Sequence, residues 1–327
     1  MKLQLVKHAR LLIVLSLLLL ASGACSRNAE TGTVEPVRNV TLLLKTGTGD
    51  YWKTVKMGAE AAAKEFSVNL KVAAPEYEGD AEGQIQLIEQ AVRDGMDALV
   101  LAANDYAGLG KTVDDVAARR IPVISIDSEV ASTRVRSFIG INNFEAGQKA
   151  GNKLIELTGE QGRIAIMGLG AVVKNAEQRE QGLRDAISKH PGVHVLRTEY
   201  CSADLKRCGE LTNKLLQENA EIDGIVALDA VASIGVAAAA ERMGLSGKVK
   251  IVTFDSTPED IEFLQEGVIQ ATIIQNPFSM GYLGVKHAVD AMNGKKVPEF
   301  VDTGTKVIDQ ENMFWSDNQK LLFPFVQ

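Results

Sequence analysis

Three short apolar runs each end in a carboxylate: Ile121-Pro-Val-Ile-Ser-Ile-Asp127, Asp223-Gly-Ile-Val-Ala-Leu-Asp229 and Lys250-Ile-Val-Thr-Phe-Asp255. Carboxylates gathered in one place can accept hydrogen bonds from hydroxyls, work as a general acid and base, or bind a metal. Metal hydrolysis calls for His ligands or a denser acidic cluster. The four histidines do not answer that need: His8 lies near the N-terminus, His287 falls in a helical stretch, and Pro191-Gly192 breaks the helix that His190 and His194 would have to share. Asp255-Ser-Thr257 lacks the second Asp of a phosphatase-like motif, and no Gly-x-Ser-x-Gly nucleophile elbow is present. Hydroxyl recognition needs donors among the acceptors, and Asn142, Asn143, Arg179 and Gln275 stand at comparable strand ends. Any one such Asp, taken alone, is equally suited to cap a helix; three together point towards a ligand.

A second stretch, Gly47-Thr-Gly-Asp-Tyr-Trp-Lys53, follows a strand and precedes a helix. Trp52 stands where a P-loop needs Gly before its Lys, and where the dinucleotide fingerprint needs its third Gly. Gly168-Leu-Gly170 lacks that third Gly as well. Nucleotide binding is therefore not the expectation. In a chain with 5% aromatic residues, Tyr51 and Trp52 side by side in what reads as a loop instead suit stacking on the C–H face of a sugar.

What positions these residues is an alternation of short buried strands with longer amphipathic segments, the βαβ signature of a parallel sheet. Strands are expected near 39–44, 70–73, 98–101, 121–127 and 136–141, with helices at 53–66, 80–93 and 111–120. A second round places helices at 144–158, 177–189, 205–219, 233–243, 258–265 and 280–293, and strands at 163–167, 193–198, 224–228, 250–254 and 269–274. One or two short strands close the chain. Two rounds of one pattern imply two α/β lobes whose strand ends face each other across a cleft.

The 327 residues suit two domains, and a net charge of −7 with no basic stripe argues against nucleic acid as a partner. Lys2, Lys7 and Arg10 precede an apolar run over 11–21, too short for an ordinary membrane span, which ends in Ser22-Gly23-Ala24-Cys25. This is read as a lipoprotein signal peptide over 1–25, lipidated at Cys25, followed by a polar tether over 26–37. Ser22 stands where the lipobox usually has Leu. In the oxidising compartment that this implies, Cys201 and Cys208 are expected to pair.

From residue 40 to 306 the chain resembles the ribose/galactose-type periplasmic sugar-binding proteins, which share a core with LacI-type repressors. The matching stretches are Asp50-Tyr-Trp-Lys-Thr-Val-Lys-Met-Gly58, Ile121–Asp127, Asn142-Asn-Phe-Glu-Ala-Gly147, Arg179-Glu-Gln-Gly182, Phe254-Asp-Ser-Thr-Pro258 and Gln270-Ala-Thr-Ile-Ile-Gln-Asn-Pro277. The resemblance implies two Rossmann-like lobes joined by a three-crossing hinge, with 38–141 plus 276–303 forming one lobe and 142–275 plus 304–327 the other. It further implies that Tyr51 and Trp52 sandwich a sugar, with Asp127, Asn142 or Asn143, Arg179, Asp255 and Gln275 around its hydroxyls; Asp229, at its own strand end, is a further ligand candidate. Ser128 stands where ribose binders have Arg, Asp229 where they have Asn, and Ala203 where they have an aromatic residue. These departures make a roomier, more acidic pocket.

The expectation is a monomeric, lipid-anchored, exported binding protein, not an enzyme and without cofactor or metal. It would capture a small neutral sugar or polyol and deliver it to the permease of an ABC importer. The alternatives are a sugar sensor signalling to a chemoreceptor or histidine kinase, and an exported hydrolase.

Overall fold

The computed structural model describes residues 37–170, 174–219 and 221–323. The leader, Cys25 and the tether up to residue 36 lie outside the described residues.

Two six-stranded sheets carry the chain. The first contains β1 (Asn39–Leu43), β2 (Asn69–Ala73), β3 (Ala98–Leu101), β4 (Val123–Ile126), β5 (Ser137–Gly140) and β11 (Phe300–Asp302), in the order β11-β5-β4-β3-β1-β2 and wholly parallel. The second contains β6 (Gly162–Gly168), β7 (Val193–Tyr200), β8 (Gly224–Ala227), β9 (Lys250–Phe254), β10 (Ala271–Ile274) and β12 (Lys306–Asp309), in the order β12-β10-β9-β8-β6-β7. Only β12 runs antiparallel to its neighbour. Every residue of β3, β4, β8 and β10 is buried. That is the environment their unbroken apolar composition requires, since helices cover both faces of a parallel sheet.

Helices α1 (Asp50–Glu65), α2 (Ala81–Arg93) and α3 (Gly110–Ala118) pack on the first sheet. α4 (Asn143–Leu157), α5 (Lys174–Ser188), α6 (Leu205–Glu218), α7 (Ala230–Arg242) and α8 (Pro258–Gln265) pack on the second. α9 (Pro277–Met292) returns to the first, burying Val285 and Ala288 against β1, β3 and β4. α10 (Ser316–Leu322), which the sequence reading omits, covers an edge of the second core. The chain thus crosses between sheets three times: after β5, after β10, and between β11 and β12.

Several helices begin about one turn earlier than periodicity indicates: α1 at Asp50, α5 at Lys174, α7 at Ala230 and α9 at Pro277. The first turns of α5 and α7 are polar or small, so the apolar period starts only after these helices are under way, whereas α1 opens on Tyr51-Trp52 and α9 on Pro277-Phe278. Two of these starts are set by caps, with Asp229 accepting from the Ala232 amide and Asn276 from the Ser279 amide. Tyr51 and Trp52 consequently lie on the first turn of a helix rather than on a loop.

The two lobes share one packing device. α1 crosses α9, and α4 crosses α5, at paired glycines. A Cβ on Gly281 would fall 1.9 Å from the Val55 carbonyl oxygen, and one on Gly58 would fall 2.0 Å from that of Phe278. In the other lobe Gly182 and Gly147 stand 1.9 and 2.0 Å, in the same sense, from the carbonyls of Phe144 and Arg179. Because the obstacle is backbone rather than a movable side chain, Gly281→Ala should force the helices apart and destabilise the fold by about 3 kcal/mol. A urea-unfolding midpoint equal to that of wild type would contradict this packing argument.

Candidate functional site

The site is assembled at the carboxyl ends of the strands. Asp127 follows β4 and Asp255 follows β9, and both are held in the left-handed region, at φ 59° and 72°. The two backbones are pinned alike, the Asp127 amide donating to Ile139 and the Asp255 amide to Ile273. Asp127 is 5% exposed. Its carboxylate accepts from the Tyr51 hydroxyl at 2.8 Å, the Ser128 hydroxyl at 2.8 Å and the Lys45 ammonium at 2.9 Å. Burial alone would raise its pKa, but Lys45, Tyr51 and Arg179 outweigh burial and hold it below the usual carboxylate range. Ser128 thus serves to orient Asp127.

From the second lobe comes Arg179, on α5 and 4% exposed. Its Nε donates to Asn143 Oδ1 at 2.9 Å, one terminal nitrogen donates to the Leu228 carbonyl at 3.0 Å, and the guanidinium lies 4.5 Å from the centre of the Phe254 ring. Gln275 donates to Asp255 Oδ1 at 2.7 Å. Burial raises the Asp255 pKa, against the pull of Arg179 and Gln275. Asp229 uses Oδ1 to cap α7, while its Oδ2 is buried without a partner. Burial, more than its neighbours, pushes Asp229 up to about 7.

Of the expected residues, Tyr51, Trp52, Asp127, Arg179, Asp229, Asp255 and Gln275 line one cavity of about 90 Å³. Asn143 stands behind it as the anchor of Arg179. Asn142 is a correction: it is exposed, and its Oδ1 caps α4 by accepting from the Glu145 amide at 3.1 Å. The sandwich of Tyr51 and Trp52 is a second correction. Their rings meet edge to face at 80°, with centroids 5.0 Å apart, which leaves no slot between them. Trp52 instead packs into the first core, 7% exposed, and the Lys45 ammonium lies 5.9 Å from its ring centre.

Lys45, Glu78 and Asn175 also line the cavity, and sequence reasoning missed them. Lys45 could have been found: it ends the apolar run Val40–Leu44 as Asp127 ends its own, and a search for acids alone passes over it. Glu78 lies in the connection after β2 and Asn175 in the first turn of α5, where composition carries no signal. A second, larger cavity of about 490 Å³ shares Tyr51, Ala230, Asp255 and Gln275 with the first. Its other walls include Pro258, Ile261 and Leu322, and Lys45, Asp127, Arg179 and Asp229 do not line it.

Cys201 and Cys208 form a disulfide across the start of α6. Between them Ser202 and Ala203 hold φ of 55° and 56°, and Ala203 lines the cavity of about 90 Å³. Replacing both cysteines with serine should destabilise the protein by about 2–3 kcal/mol in the chain-entropy account and weaken ligand binding as that wall loosens. Unchanged affinity in the double variant would show that the bridge does not shape the site.

The chain matches the family model described as a periplasmic binding protein domain over residues 40–296. It is 28% identical to the D-allose-binding periplasmic protein of Escherichia coli, over 79% of this chain and 86% of that one. With the ribose import binding protein of Haemophilus influenzae it shares 27% identity, over 83% and 91% of the two chains. Among solved structures, the carbohydrate transporter solute-binding protein of Agrobacterium radiobacter in complex with D-arabinose superposes with a TM-score of 0.85 at 31% identity, covering 88% of this chain and 99% of that one. The site therefore sits on a known scaffold, and the chain belongs to the periplasmic binding protein domain family.

Proposed function

We propose that this protein is an exported solute-binding protein that captures a small sugar or polyol between its lobes and delivers it to an ABC importer. The observation that carries the reading is a polar cavity walled from both lobes, with Lys45, Tyr51 and Asp127 on one side and Arg179, Asp229, Asp255 and Gln275 on the other. Fixed acceptors interleaved with fixed donors suit a polyhydroxylated ring, and an apolar wall from Tyr51 and Trp52 suits its C–H face. The relatives named above include binders of allose, ribose and arabinose. A ligand that bridges both walls binds the closed arrangement more tightly than an open one, so it shifts the hinge towards closure. The permease then reads the closed form.

The hydrogen-bonded carboxylates are spent on recognition, and we read the protein as a binder rather than an enzyme. It acts as a monomer, with lobes at 38–141 plus 276–303 and 142–275 plus 304–327. The small-residue run before Cys25 supports lipid anchoring at that residue. A thermal-shift screen over pentoses, hexoses, inositols and nucleosides tests the reading. At least one sugar or polyol should raise the unfolding midpoint in a saturable way; a screen in which none does so would contradict it.

A further inference from the structure

We propose that the preferred sugar carries a protonated amine, and that its ammonium group is received by Asp229 together with Glu78 and Asp255. This rests on the sugar-binding reading above and narrows it. The argument begins with charge. The cavity is lined by four carboxylates, Glu78, Asp127, Asp229 and Asp255, and by two cations, Lys45 and Arg179. Lys45 is committed to Asp127 at 2.9 Å and is 3.9 Å from Glu78. Arg179 spends its recorded hydrogen bonds on neutral acceptors, Asn143 and the Leu228 carbonyl. Asp255 receives only the neutral amide of Gln275. Negative charge therefore exceeds positive within a small enclosed space, where unpaired charge is costly.

The second observation is independent of that count. Asp229 is 7% exposed, faces the cavity, and has Oδ2 buried with no hydrogen-bond partner. Buried polar atoms are nearly always satisfied, so this oxygen is a vacancy for a donor. A sugar hydroxyl would fill the hydrogen bond but leave the charge imbalance untouched. An ammonium group brings three donors and the missing positive charge together. The titration behaviour agrees with this picture. Burial, with repulsion from Glu78 and Asp255 added, raises Asp229 despite Arg179 and the Ala232 amide. Burial likewise raises Glu78 and Asp255.

Isothermal titration of the mature protein with glucosamine, galactosamine, mannosamine and glucamine, each beside its parent glucose, galactose, mannose and glucitol, tests the inference. The best amine should bind about 10-fold or more tightly than its parent. Asp229→Asn retains an oxygen for the α7 cap, and Glu78→Gln changes a side chain that is one-third exposed, so both variants should fold. Each should reduce the amine preference, the first to near parity. If a neutral sugar is the tightest ligand, or if Asp229→Asn leaves the preference intact, the inference is overturned while sugar binding stands. If no member of either series binds, the inference is overturned, and sugar binding is then decided by the wider thermal-shift screen, which also includes pentoses, inositols and nucleosides.

Discussion

Arg179→Met should weaken sugar binding by about 100-fold and lower the unfolding midpoint of the free protein. The methionine keeps much of the apolar stem but removes the only cation that, among the described residues, the second lobe gives the cavity. Arg179 lowers the pKa of Asp229 and of Asp255, so its loss leaves both carboxylates to burial and mutual repulsion. Asn143 Oδ1 and the Leu228 carbonyl lose their donors at the same time. Removing one partner from a buried, hydrogen-bonded charge typically costs about 3–5 kcal/mol in stability. For binding, the loss of about 3 kcal/mol corresponds to about 100-fold in affinity. Calorimetric titration and a thermal melt measure the two effects separately. An affinity within a few-fold of wild type would remove Arg179 from the site.

A comparable effect is expected for Asp127→Asn, by the opposite route. Here the buried cation is stranded: Lys45 is 2% exposed, and its other acidic neighbour, Glu78, is 3.9 Å away. Three donors converge on the two carboxylate oxygens, and an amide would turn one of those oxygens into a donor facing donors. The expected cost is about 3–5 kcal/mol at neutral pH. Its pH dependence is distinctive. The folded state holds Asp127 below the ordinary carboxylate value of about 4, so the wild-type pairing contributes stability above that value and loses it as pH falls through the lowered value. The gap between wild type and variant should therefore narrow on acidification below about pH 4. A gap that is constant across that window would mean the carboxylate charge is not what Lys45 requires.

The fold was legible because a buried parallel strand writes itself as an unbroken apolar run, and β3, β4, β8 and β10 are all of this kind. The residues that end such runs were therefore found, Asp127 and Asp255 among them. Helix starts were less legible, since α5 begins on a polar turn and the cap geometry at Asp229 and Asn276 starts α7 and α9 ahead of their apolar stripes. That geometry separates Asn142 from Asn143: adjacent and identical in sequence, one caps α4 at the surface and the other anchors Arg179 in the interior. Nor does sequence give ring orientation, so a pair of adjacent aromatics read as a sandwich is in fact an edge-to-face pair built into a helix.

Fluorescence offers the most direct test of sugar capture between the lobes. The chain has two tryptophans: Trp52 lines the cavity, whereas Trp315 is 65% exposed. In a Trp315→Phe variant, all indole emission reports from Trp52. Titration with the sugar that most raises the unfolding midpoint should change that emission saturably, with a midpoint equal to the calorimetric Kd, and Asp127→Asn should erase the response. Emission that stays constant while the same sugar binds by calorimetry would place the ligand elsewhere and contradict the account.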